Sequence, residues 1–76
     1  MTKYVFKMFK EEKYIGSLNF INLKLMFRTA KNLLKKGYQI NISEYGTIAG
    51  VFVLQPKDYF LSVDILIKRL HERIFK

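Results

Sequence analysis

Four cations recur at helical spacing in the stretch from Asn22 to Lys36. Lys24, Arg28, Lys31 and Lys35 follow one another at i, i+4, i+7 and i+11. On a helix this spacing stacks them into a single stripe, each about one turn from the next. Cations in that arrangement can reach successive phosphates, provided another face of the helix holds it to the protein. Asn22 and Asn32 flank the stripe and supply hydrogen-bonding groups for sugars or bases. No acidic residue lies anywhere between Glu12 and Glu44. The chemistry this favours is contact with an anion: a nucleic-acid backbone or an acidic protein surface.

Other chemistry finds little support in the residue types. His71 is the only histidine, and it falls at the edge of the apolar face of the last helix. The six carboxylates, Glu11, Glu12, Glu44, Asp58, Asp64 and Glu72, show no spacing that pairs two for acid–base work. The four glycines are isolated, so no phosphate-binding loop is present. The absence of cysteine removes thiolate chemistry, disulfides and cysteine zinc sites together. A non-enzymatic protein without metal or cofactor is expected.

The stripe needs a scaffold, and the pattern around it supplies one. Leu23, Met26, Phe27, Ala30, Leu33 and Leu34 share one apolar arc beside the cations. Asn22 is a good N-cap, Ile21 and Met26 stand at the spacing of a hydrophobic staple, and Gly37 suits the position just past the end.

Before this helix, residues 3–9 alternate as a strand, Lys10 to Lys13 fits a four-residue loop, and a second strand runs from about Tyr14 to Phe20. After it, Tyr38 to Ser43 alternates again and Glu44-Tyr45-Gly46 makes a loop. A fourth strand covers about Thr47 to Leu54. Pro56 ends that strand, and a final helix is expected from Lys57 or Asp58, with Tyr59, Phe60, Val63, Leu66, Ile67, Leu70 and Ile74 on its apolar face.

The order ββαββα predicts a two-layer α+β domain, a four-stranded antiparallel sheet with both helices on one face. Each half resembles the other: the strands align at an offset of 34 residues and the helices at 33, as two ββα units. RNA-recognition domains run βαββαβ and double-stranded-RNA domains αβββα, so neither order fits.

Strand parity directs Tyr4, Phe6, Ile40, Ile42, Phe52 and Leu54 to the helices. It directs Val5, Lys7, Phe9, Ile15, Ser17, Asn19, Gln39, Asn41, Ser43, Ala49, Val51 and Val53 to the opposite face. The apolar members, Val5, Ile15, Val51 and Val53 among them, form a candidate partner interface or homodimer contact. A bulge at Gly50 would reverse the parity of Val51 and Val53. Leu61 and Ile65, one turn apart on the outer side of the last helix, add a second small patch.

The chain has 76 residues, half of them hydrophobic, and a formal charge of +8 at pH 7. A domain of this size buries only about 60–65% of its unfolded surface, so its core is thin. Eleven of the fourteen basic residues are lysine, and Ile, Phe, Tyr and Asn are also frequent. All have AT-rich codons, so the charge alone does not assign a partner. No apolar run reaches the length of a membrane span, and the N-terminal residues alternate with lysine rather than forming a signal peptide. A cytoplasmic location is expected. The leading expectation is a binder that contacts nucleic-acid backbone through the stripe, and the alternative is a protein-interaction module using the open sheet face.

Overall fold

The structure, a computed structural model, describes residues 1–47 and 50–74. Strands β1 (Tyr4–Lys10) and β2 (Lys13–Phe20) precede helix α1 (Leu23–Lys35). Strands β3 (Gln39–Glu44) and β4 (Phe52–Leu54) follow, then a 3₁₀ turn (Pro56–Phe60) and helix α2 (Val63–Ile74). The sheet is antiparallel in the order β2-β1-β3-β4. The two N-terminal strands of the hairpins therefore sit in the middle, and β2 and β4 form the edges. This is the expected α+β architecture.

Alternation in the strands becomes two inward rows. One runs Leu18, Phe6, Ile42, Phe52 across all four strands, and the next runs Gly16, Met8, Ile40, Leu54. Met26, Phe27, Ala30 and Leu34 of α1 and Leu66 and Leu70 of α2 close over them, burying a core that also includes Tyr4. Both helices thus lie on one sheet face.

Helix α1 ends as its sequence dictates. The Asn22 side chain accepts a hydrogen bond from the Leu25 N–H at 3.0 Å. At the other end the Gly37 and Tyr38 N–H groups donate to the Leu34 and Leu33 carbonyls, with Gly37 at φ 92°. That is a complete Schellman closure, which requires a residue with positive φ.

Four expectations need correction. The first hairpin closes with a two-residue turn rather than a four-residue loop. Lys10 pairs with Lys13, and Glu11 and Glu12 both take positive φ, 51° and 66°. Such a turn matches the right-handed strand twist, so the ladder continues to its tip.

Among the described residues the fourth strand covers Phe52–Leu54. Gly50 adopts φ 72°, a conformation that interrupts an extended run, and among the described residues pairing with β3 begins at Phe52 opposite Ile42. The parity reversal at Gly50 does not occur, because Phe52 and Leu54 are buried. Ala49 lies outside the described residues.

The final helix starts at Val63 instead of Lys57 or Asp58. Asp58 accepts a hydrogen bond from the Gln55 N–H at 2.8 Å and closes a single 3₁₀ turn. Leu61 then extends, with φ −68° and ψ 142°, and the Ser62 hydroxyl caps a new helix by accepting from the Ile65 N–H. Tyr59 and Phe60 therefore leave the core face and are exposed. The Ile74 side chain lies outside the described residues.

The two helices also correspond at a different offset. Leu23 aligns with Val63, Met26 with Leu66, and Ala30 with Leu70, a shift of 40 residues rather than 33. Asn22 then matches Ser62 as N-cap, and Ile21 matches Leu61 at the staple position.

Candidate nucleic-acid interface

The stripe keeps its predicted geometry because α1 is continuous through all four cations. Lys24, Arg28 and Lys35 are exposed and Lys31 is half-buried. Over the eleven residue steps from Lys24 to Lys35 the stripe extends about 16 Å. No acidic residue lies on the helix.

Its direction within the fold follows from Phe27. Phe27, Lys31 and Lys35 stand at i, i+4 and i+8, one line along the helix where the apolar arc meets the stripe. Phe27 meets Phe52 of β4 edge to face, and Lys35 lines an open concavity with Leu34, Gly37, Pro56 and Tyr59. The cations therefore lie on the flank of α1 turned toward β4 and the 3₁₀ turn. Leu25 and Thr29 occupy the opposite flank, toward β2.

That placement brings in residues the sequence had assigned elsewhere. Tyr59 and Phe60 form an edge-to-face pair, centroids 5.8 Å apart, on the turn that packs against α1. Lys57 in the same turn is exposed. The signal that could have released both rings from the core list is Ser62 with Asp64 two residues on, a helix start inside the presumed helix.

Not all lysines are equally available to a ligand. The Lys10 ammonium lies 4.9 Å from the centre of the Tyr38 ring, and that of Lys3 lies 4.8 Å from the Tyr45 ring. Such cation–π contacts hold both groups near the sheet ends. Asp58, the carboxylate nearest the aromatic pair in sequence, already accepts the Gln55 N–H.

The residues expected to form a partner interface are not brought together. The outward row runs Ser17, Lys7, Asn41, Val53, so Val53 stands opposite Asn41 of β3, the strand that also carries Gln39 as expected. Val5 sits between Asn19 and Ser43, and Ile15 lies at the far edge of the sheet in the bulge of β2. Gln39 donates to Asn41 at 3.1 Å on the same face. A polar centre therefore separates the apolar residues, because the strand order places β2 and β4 at opposite edges.

The bulge also turns Tyr14 to the side of Phe9, 5.7 Å away. Leu61 does not sit one turn before Ile65 on a helix; it precedes α2 and packs against the core, leaving Ile65 exposed alone.

His71 is exposed on α2. Among the described residues no three His, Cys, Asp or Glu side chains group as metal ligands. No helix among them is long and apolar enough to cross a membrane. A scan against protein-family models and searches of curated proteins and of solved structures found no match to the chain.

Proposed function

We propose that the chain is a small non-enzymatic binding module whose α1 stripe contacts nucleic-acid backbone with little sequence readout. One observation carries this reading. Lys24, Arg28, Lys31 and Lys35 line a single flank of a helix whose adjoining apolar arc is locked into the core. A rigid row of cations neutralises phosphates and displaces their counterions, which generates affinity without reading bases.

Salt titration tests it. Four phosphate contacts predict a log–log slope of affinity against salt of about −3 to −4 on duplex DNA. Reversing two of the three exposed cations together, Lys24→Glu with Arg28→Glu, lowers affinity for every sequence and leaves the fold intact. Absent binding at low salt, or equal binding by the double variant, refutes the proposal.

A second reading, pairing with another protein strand, rests on a different place from the open face. Leu18 on the edge strand β2, Ile21 just after it and Leu25 in the first turn of α1 are all exposed. A second copy of the chain fits that edge.

A further inference from the structure

We propose that Tyr59, Phe60 and the C-terminal end of the α1 stripe form one stacking site that selects single-stranded nucleic acid over duplex. The inference rests on the backbone-binding reading above and names the form of nucleic acid that the same surface takes.

Phe60 is 71% exposed, more than any other large apolar side chain among the described residues except Met1. Tyr59 is 44% exposed. An exposed phenylalanine has no polar group to offer water, so its position has a cost that a ligand could recover. The two rings stand at 90° to each other, so they cannot cover one another face to face.

The turn that presents them is well fixed. Pro56 sets its first residue, Asp58 accepts from the Gln55 N–H, and the Leu61 N–H donates to the Asp58 carbonyl at 3.1 Å. The backbone that carries the rings is therefore preset, and ordering it on binding requires little entropy.

Their neighbours supply the other half of the site. Tyr59 shares its concavity with Lys35, the last cation of the stripe, and Lys57 is exposed between Pro56 and Asp58. Surfaces that bind single strands combine a cationic track for the backbone with aromatic rings on which bases stack. Bases inside a duplex already cover each other's faces, so the rings have a partner only on an unpaired strand. The cations alone would not make this distinction, whereas rings at the end of the stripe do.

Fluorescence anisotropy separates the two contributions. The probes are a labelled oligothymidylate of about 15 nucleotides and the same strand annealed to oligodeoxyadenylate. Phe60→Ala and Tyr59→Ala are each expected to weaken single-strand binding by about 5- to 150-fold and duplex binding by less than about twofold. Phe60→Leu, which keeps an apolar side chain but loses the ring, should weaken it similarly; circular dichroism verifies that each variant is folded.

Single-strand affinity that survives Phe60→Ala, equal losses on both probes, or wild-type binding by Phe60→Leu overturns the stacking site. In those cases the backbone reading stands if the double reversal in α1 still abolishes binding. No wild-type binding to either probe overturns both.

Discussion

Phe27 of α1 and Phe52 of β4 meet edge to face, ring centroids 6.2 Å apart and planes at 89°. This contact ties the helix carrying the stripe to the shortest strand of the sheet. Phe27 is fully buried and sits one turn from Lys31, so the packing that holds α1 also orients its cations.

Removing that ring should be costly. Phe27→Ala is expected to destabilise the domain by about 3–5 kcal/mol, and Leu66→Ala, equally buried, by about 2–5 kcal/mol. In a domain this small each 1 kcal/mol moves the thermal midpoint by about 4–8 °C. Thermal melts followed by circular dichroism decide the matter, and a silent substitution at either position would contradict the described packing.

The tip of the first hairpin offers the opposite outcome. Glu11 and Glu12 hold positive φ, where a residue other than glycine or asparagine is strained. The double substitution Glu11→Asn with Glu12→Gly supplies the residue types that favour such a turn. A gain of about 1–2 kcal/mol is expected, with a matching rise in the thermal midpoint. An unchanged or lower midpoint means the turn carries no strain worth relieving.

How far these features could be read from the chain depended on whether they are local. The stripe, the Asn22 cap and the Gly37 terminus are written within a few turns of one another, so periodicity and residue type sufficed for α1. Tyr59 and Phe60 lie at helical spacing from Val63, and their apolarity alone made them core. What removed them was competition between two helix starts, decided by the Asp58 and Ser62 caps. The residues of the expected partner interface lie apart for another reason. Parity correctly turned Val51 and Val53 outward, but which residue stands beside Val53 depends on strand order, and that is fixed by contacts distant in sequence.

Stability should also respond to alkali. Tyr4 is buried, and its hydroxyl is pushed above the usual tyrosine range, first by burial and then by the charge of Glu44, with a Thr2 side-chain hydrogen bond opposing them. The folded protein therefore holds this proton more tightly than the unfolded chain. The resulting stabilisation is fully present below about pH 10 and is lost as pH rises through the folded value. Urea denaturation from about pH 9 to about pH 11 should show a fall in stability that is shallower in Tyr4→Phe. Identical slopes in the two proteins would mean that Tyr4 ionises alike folded and unfolded.

The last prediction concerns how the protein meets a second copy of itself. The inward row Leu18, Phe6, Ile42, Phe52 runs past the cover of the helices at its β2 end, where Leu18 is 43% exposed. Edge strands are usually blunted by charge, proline or shortness. β4 has three residues and Pro56 close behind it, whereas β2 carries no charge from Tyr14 to Phe20. Its only defence is the bulge near Ile15. An antiparallel copy of β2 centred on Leu18 would set Leu18 against Leu18 and Phe20 against Gly16, where the glycine leaves room for the ring. Val53 offers no such match: it is 42% exposed but faces Asn41 in a row that is otherwise polar. Sedimentation of the wild-type protein up to about 0.5 mM should reveal a concentration-dependent dimer. Leu18→Lys should hold it monomeric and folded, while Val53→Lys leaves the native mass unchanged. A dimer broken by Val53→Lys and not by Leu18→Lys would move the contact to the open face, and a wild-type monomer throughout would leave β2 an unpaired edge.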